Sequence, residues 1–336
     1  MSADLKQEFR ALVVRRSQDR RTFTRAIEKR RIEELPAGDL LIRVHYSSLN
    51  YKDGLSCIGN PGVTRRYPHT PGIDAAGIVN QSNSPEFKVG DEIIIAGTAL
   101  GMDISGGFGE FIRIPSAWAV PLPTGMTLRE SMIWGTAGFT AALSVLKLQQ
   151  HGLQPSMGPV IVTGASGGVG SVSVALLAKL GFQVTAISGK SKAQDFLRGL
   201  GAHDVQGREL LQDTSDRPLL KELWAGGIDT VGGVMLANVI KSCKENTAIA
   251  ATGLVGSQDL PISVLPFILR GVSLLGINAQ GLTPSARREL WLRLAREWKL
   301  EKLESLAIDC RLDDLDPQID KILAGGQQGR VVVDMR

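Results

Sequence analysis

The spacing of hydrophobic and polar positions divides this chain into three stretches. Up to about Pro123 the apolar residues come in short runs, LLIRVHYSSLN, GIDAAGIV, DEIIIAG and FGEFIRIP, separated by Pro and Gly signals. That pattern predicts strands and turns in a compact, irregular β lobe. Ahead of them, Phe9 to Val14 and Thr22 to Ile27 read as two short strands around a polar turn. From Met132 onward, IWGTAGFTAALSVLKLQ carries apolar residues at helical spacing. Strand-like segments then recur with helix-length spacers, FQVTAIS, GIDTVGG, NTAIAATGL and GVSLLGIN, the alternation expected of a doubly wound sheet. After Asn278 the pattern changes again: Pro284 can open a helix over SARRELWLRLAREWKLEKL, with Leu290, Leu294 and Trp298 on one face, and GRVVVDM reads as a final strand. The predicted fold is α/β: a first domain over 1–123, a nucleotide-binding domain inserted at 124–280, and a return to the first domain over 281–336, leaving a cleft between the two.

The segment PVIVTGASGGVGSVSVALLAKLG, Pro159 to Gly181, gives the insertion its chemistry. Val160 to Thr163 supply a buried strand; Gly164, Gly167, Gly168 and Gly170 let the backbone turn tightly and bring a helix start close to a bound phosphate. The helix dipole and free N–H groups favour negative charge there. Ala165 and Ser166 separate Gly164 from Gly167, so this is not the literal G-x-G-x-x-G fingerprint, and a structural crossover fits the turn alone. The next strand, Phe182 to Ile187, ends in Ser188, Gly189 and Lys190, where an NAD site usually carries an acid for the ribose diol. A carboxylate there repels a 2′-phosphate, whereas a hydroxyl and an ammonium can contact one, so the residues favour NADP over NAD. An ordinary solvated lysine remains the other reading of Lys190. Arg208, after HDVQG, is a second candidate for the same phosphate.

Composition narrows the remaining classes. With 336 residues, 43% of them apolar, the chain can fill two cores. The apolar stretches read as interrupted before bilayer-spanning length, and MSADLKQEFR lacks a signal-peptide apolar core, so the expectation is a cytoplasmic protein with no membrane partner. Net charge is only +4. The arginine-rich stretch from Arg15 to Arg31 has no interleaved aromatics and reads as a solvated hairpin, with no nucleic-acid partner. Cys57, Cys243 and Cys310 are far apart and odd in number, which predicts free thiols. No metal-ligand spacing is present; His45 and His69 lack a ligand partner and read as packing or hydrogen-bonding residues.

Taken together and in order, SSLNYKDGL (Ser47 to Leu55), PGIDAAG (Pro71 to Gly77), GTAGFTAA (Gly135 to Ala142), TGASGGVG (Thr163 to Gly170), WAGGIDTVGG (Trp224 to Gly233) and LPFILRGVSLLGIN (Leu265 to Asn278) resemble the zinc-independent branch of the medium-chain dehydrogenase/reductase superfamily, in its acrylyl-CoA reductase and quinone oxidoreductase subgroup. The resemblance covers nearly the whole chain. It implies a GroES-like β-rich catalytic lobe, a Rossmann domain binding NADPH, and a homodimer. It assigns Ser166, Gly167, Gly168 and Val169 to the phosphate turn, and Ser188, Gly189, Lys190 and Arg208 to the adenosine phosphate. Leu254, Ile268, Asn278 and Arg330 are assigned to the cofactor pocket. Lys190 stands where relatives can present Arg, and Ala279 where they can carry Ser, so the geometry of those contacts departs from the pattern. Where a zinc alcohol dehydrogenase carries Cys, SSLNYKDGL offers Asn50, Tyr51, Lys52 and Asp53.

The implied reaction is NADPH-dependent reduction of an α,β-unsaturated enoyl-CoA thioester, with acrylyl-CoA leading and hydride adding at the β carbon. In it Tyr51 orients the substrate or relays a proton, with water delivery as the alternative, and Asn50 orients the carbonyl. A packed Tyr and a turn-forming Asn are the bland readings of the same residues. Arg65 and Arg66 either attract the CoA phosphates or are plain exposed loop arginines. The competing functions are an NADPH-dependent quinone oxidoreductase and, more distantly, a non-enzymatic NADPH-binding module.

Overall fold

The computed structural model describes residues 6–19 and 21–336; the first five residues of MSADLKQEFR, and Arg20 of the arginine-rich stretch, lie outside them. Two compact units form. The first comprises the described residues up to Phe139 with Ala279–Lys299 and Leu303–Arg336; the second comprises Thr140–Asn278 and Leu300–Lys302.

In the first unit β1 (Glu8–Arg16) and β2 (Phe23–Arg31) pair as an antiparallel hairpin. β1 is buried on both faces: Phe9, Ala11 and Val13 pack with Ile32, Leu41 and Phe111, while Leu12 and Val14 enter the main core. The basic residues of the hairpin are tied down, Arg15 by Glu28, Lys29 by Glu8, Arg30 by Glu34, and Arg25 by Asp316 and Asp320. These pairs neutralise much of the positive charge that the sequence places on the ribbon.

β3 (Leu40–Leu49) leads into α1 (Tyr51–Cys57), and β4 (Ala75–Ser82), β5 (Glu92–Ile95), β6 (Phe111–Ile114) and β7 (Val120–Pro121) follow. β3 is the hub, antiparallel to both β4 and β6, with β4 next to β5 and β5 next to β7. Leu40, Ile42, Val44, Val79, Ile93 and Ile112 fill the core beneath it, apolar and β-branched residues that suit a pleated surface.

α2 (Leu128–Gln150) is helical on either side of Gly135, whose φ of 48° and ψ of −161° break it. The division between units falls beyond this break, at Phe139 and Thr140, later than the limit near Pro123 that the sequence suggests. The physical reason is that Met132, Ile133 and Trp134 are buried and that Thr136 is hydrogen-bonded to Asp74 of the first unit. α2 also corrects the reading that no apolar stretch has bilayer-spanning length. An 18-residue window in it reaches a mean hydropathy of 1.2, but 83% of that window is buried inside the fold, the signature of a core helix.

The second unit runs β8 (Val160–Val162), α3 (Gly168–Lys179), β9 (Val184–Ile187), α4 (Gln194–Gly199), β10 (Asp204–Gln206), β11 (Gly226–Asp229), α5 (Gly233–Lys241), β12 (Ala248–Ala251), α6 (Leu265–Leu269) and β13 (Ser273–Gly276). All its strands are parallel, in the order β10-β9-β8-β11-β12-β13. Counted from β8, that is 3-2-1-4-5-6, the Rossmann order, with its switch point between β8 and β11. Ile161, Ile187, Val239, Ile240 and Ile249 belong to its core.

The chain then returns to the first unit through α7 (Pro284–Ala295), β14 (Ala307–Arg311), α8 (Leu315–Leu323) and β15 (Arg330–Asp334). Thr283 caps α7 by accepting from the Ala286 N–H, and Pro284 starts it. The helix ends at Ala295, short of the predicted span, because Arg296 leaves helical dihedrals (φ −118°, ψ −97°); Trp298 still reaches the core from the irregular segment beyond. β15 lies parallel to β14 and antiparallel to β3, with Val331 opposite Leu49. That register delivers Arg330 to the end of β3.

Candidate active site

In the second unit, the turn after β8 is built around backbone constraints. Gly164 has φ 56°, and a Cβ on it would lie 2.2 Å from Thr230 Oγ1, so glycine is required there. The Gly167 N–H donates to Gly164 O (3.0 Å), and Gly167 caps α3 with no side-chain cap and no acid in the first turn. The positive end of α3 is thus left for an anion. Thr163 Oγ1 donates to Asp229 Oδ1 (2.6 Å), joining the tips of β8 and β11. Burial pushes the Asp229 carboxyl up, opposed by that bond and by the Gly232 and Val231 N–H groups.

The same turn meets the end of β9. Ser188 Oγ donates to Ser166 Oγ (3.1 Å) and accepts the Lys190 N–H (3.2 Å). The Arg208 guanidinium lies against Gly189, where a Cβ would sit 2.4 Å from its Nε. The structure therefore brings Ser166, Ser188, Gly189, Lys190 and Arg208 to one place beside Gly167, Gly168 and Val169, with Arg208 more central than its distance in sequence suggests. Leu254 is 66% exposed and follows Gly253, which abuts Thr230. Ile268 is 70% exposed on α6, and Asn278 ends the unit's main segment. A glycine turn, an uncapped helix start, and a cation at the end of β9 without an acid fit a phosphorylated dinucleotide.

In the first unit, the residues around α1 form a different kind of site. Asn50 is the N-cap of α1, and Asp53 completes a capping box, accepting the N–H groups of Asn50 (2.8 Å), Ile73 (2.9 Å) and Gly72 (3.1 Å). The Asn50 side chain donates to Asp74 Oδ2 (2.8 Å) and Ser48 O (3.1 Å) and accepts from Arg330 Nη1 (3.2 Å). Its amide is spent inside the protein, which corrects the expectation that it orients a substrate carbonyl. Tyr51, the first residue of α1, keeps its side chain accessible at 40% exposure.

Arg330 requires a second correction. Only 2% exposed, it donates to Ser48 Oγ (2.9 Å), Ile133 O (3.0 Å), Asn50 Oδ1 and Leu49 O (3.3 Å), and its Nη2 lies 3.7 Å from Asp74. The guanidinium is enclosed in the first unit, where protein oxygens take its hydrogen bonds, in place of the reach to a cofactor that the sequence suggests. Burial lowers its pKa, against the carboxylates of Asp74 and Asp53. Burial, helped by Asp74, raises Asp53 to about 7, although its backbone donors pull the other way. Asp74, Ser48 and Thr136 escaped the sequence reading, and Asp53 was named there without a role; the acid in PGIDAAG, ahead of an apolar strand, was the available signal.

Arg65 and Arg66 stand exposed on one loop, their N–H groups donating to Asp103 Oδ1 at 2.6 and 3.0 Å. Among the described residues, no group of three or more His, Cys, Asp or Glu is placed to hold a metal ion. His69 is buried with Nε2 2.9 Å from Gly101 O, and burial lowers its pKa, as it does for half-buried His45. All three cysteines are buried free thiols pushed up to about 12 by burial, which leaves them unreactive.

A β-rich unit joined to a six-stranded Rossmann sheet with an open helix start defines a nucleotide-dependent dehydrogenase or reductase. The family profile described as "Alcohol dehydrogenase GroES-like domain" matches residues 36–124, and that described as "Zinc-binding dehydrogenase" matches 168–296. The acrylyl-CoA reductase AcuI of Ruegeria pomeroyi is 44% identical over 328 residues, 97% of this chain and 99% of that protein. A solved structure of the yhdH oxidoreductase of Salmonella enterica in complex with NADP has a TM-score of 0.94 at 41% identity, covering 97% of this chain and 100% of that one. Bacillus subtilis yhfP, solved with NAD bound, gives a TM-score of 0.94 at 41% identity, covering 98% and 100%. The chain belongs to the medium-chain dehydrogenase/reductase superfamily, in its zinc-independent acrylyl-CoA reductase and quinone oxidoreductase subgroup, and is an oxidoreductase of that kind.

Proposed function

We propose that this protein reduces the carbon–carbon double bond of acrylyl-CoA, giving propionyl-CoA, with NADPH as reductant. The observation that carries the reading is the joint one of 44% identity across 97% of the chain to an acrylyl-CoA reductase and an end of β9 whose sequence is Ser188, Gly189 and Lys190, with the Arg208 guanidinium against it. Ser166, Gly167, Gly168 and Val169 hold the pyrophosphate at the start of α3; Ser188, Lys190 and Arg208 hold the 2′-phosphate. The bound cofactor supplies a hydride to the β carbon. Tyr51, accessible at the start of α1, orients the thioester or passes a proton toward the α carbon, and Arg65 and Arg66 attract the CoA phosphates. A homodimer fits the open edge of β13 and the exposed apolar residues Leu265, Ile268, Leu269 and Leu274 around it. Parallel turnover assays with acrylyl-CoA, longer enoyl-CoAs and quinones test the substrate. Efficient quinone turnover without enoyl-CoA reduction moves the answer to a quinone oxidoreductase, and no turnover of either class, with NADPH bound, to a non-enzymatic binding module.

A further inference from the structure

The polar cluster beneath α1 is denser than a core requires. Asp74, fully buried, accepts Thr136 Oγ1 (2.5 Å), Ser48 Oγ (2.6 Å), Asn50 Nδ2 (2.8 Å) and the Thr136 N–H (2.9 Å), with Arg330 at 3.7 Å. Segments far apart in sequence converge on it: the end of β3, the approach to β4, the break in α2 and the start of β15. The break itself serves the cluster, since a Cβ at Gly135 would lie 2.5 Å from Asp74 Oδ2 and Ser48 Oγ and 2.6 Å from Arg330 Nη2. Buried ion pairs of this kind are often replaceable by apolar residues at no loss of stability, so stability alone gives no reason for it. Its distinctive effect is on Asn50, which is gripped from both sides, its Nδ2 by Asp74 and its Oδ1 by Arg330. Asn50 caps α1, and Tyr51 is the next residue.

We propose that Arg330 and Asp74 are positioning residues for Tyr51: by fixing the Asn50 cap from both sides they set where α1 begins and where the tyrosine hydroxyl is presented. The catalytic meaning of this inference rests on the reaction proposed above; the positioning itself does not. A lysine at 330 keeps the charge but cannot span the four acceptors that the planar guanidinium reaches on Ile133, Leu49, Asn50 and Ser48.

The chain has three tyrosines, Tyr46, Tyr51 and Tyr67. Fluorine NMR of the full-length protein labelled with 3-fluorotyrosine therefore gives three signals, and Tyr51→Phe assigns one of them. In Arg330→Lys the Tyr51 signal is expected to shift or broaden while the other two stay in place. Turnover falls about tenfold or more, with the Kd for NADPH unchanged within about twofold. An unmoved Tyr51 signal overturns the inference whatever happens to turnover; so does a joint collapse of all three signals, which marks general loss of packing. If Arg330→Lys does not fold, Thr136→Val removes one Asp74 donor and is judged by the same criteria. Full turnover in Tyr51→Phe, by contrast, removes the hydroxyl-dependent step of the proposed reaction and leaves the positioning result to stand on the NMR signal.

Discussion

At the residue scale, the proposed NADPH preference rests on single side chains. The Arg208 guanidinium lies against Gly189 at the end of β9, and a charge-assisted bond to a phosphate contributes roughly 1.5–3 kcal/mol, about 10- to 100-fold in affinity. Arg208→Ala is expected to lower kcat/KM with NADPH by that factor and to leave kcat/KM with NADH nearly unchanged; equal losses with both would mean general damage to the turn. Asp53 makes a prediction of a different kind. Its folded pKa of about 7 lies above its ordinary value of 3.8, so between those limits the folded state holds the proton more tightly. This group's contribution to stability therefore falls as pH rises through that window and is level above it. Asp53→Asn removes the titration. Subtracting its urea-midpoint curve from that of the parent protein should leave a difference that declines between about pH 4 and 7; a flat difference would show that Asp53 is ionised throughout, held by its three backbone donors.

At the scale of elements, the break in α2 and the edge of β13 carry the testable consequences. Gly135→Ala adds left-handed strain of about 1–2 kcal/mol and a methyl within 2.6 Å of three polar atoms, so a loss of at least about 3 kcal/mol is expected in chemical unfolding. A loss under about 1 kcal/mol would mean that the cluster rearranges freely. For β13, the parent protein is expected to sediment as the proposed dimer, and Leu274→Arg, which places a charge on an exposed edge strand, as a monomer; a monomeric parent would contradict the proposed interface. Legibility in the sequence also varied by element. Most of the longer strands were readable because apolar runs bounded by Gly and Pro persist where a strand is buried; the two-residue β7 and three-residue β10 carry too few positions to show a pattern. β14 (AIDCR) and α8 were not, since β14 is an edge strand with exposed residues and α8 is only nine residues long. The phosphate turn was legible because its glycines act locally. The buried contacts of Asn50 and Arg330 were not legible for the opposite reason: Asp74 reaches Asn50 from the approach to β4 and Arg330 reaches it from β15, and nothing local announces the register that pairs β15 with β3.

For the whole molecule, the function proposed above is metal-independent, NADPH-linked reduction of an enoyl thioester. Protein stripped of zinc is expected to keep its thermal midpoint and its turnover, since the described residues offer no ligand cluster; activity lost on stripping and restored by stoichiometric zinc would contradict this. The most direct test of the central claim follows the atoms. With acrylyl-CoA, NADPH deuterated on the transferred position, and ordinary water, mass spectrometry of the product is expected to show propionyl-CoA with one deuterium on the β carbon; in heavy water with ordinary NADPH, one deuterium on the α carbon. Absence of propionyl-CoA under conditions where the same preparation oxidises NADPH with quinones would contradict the account.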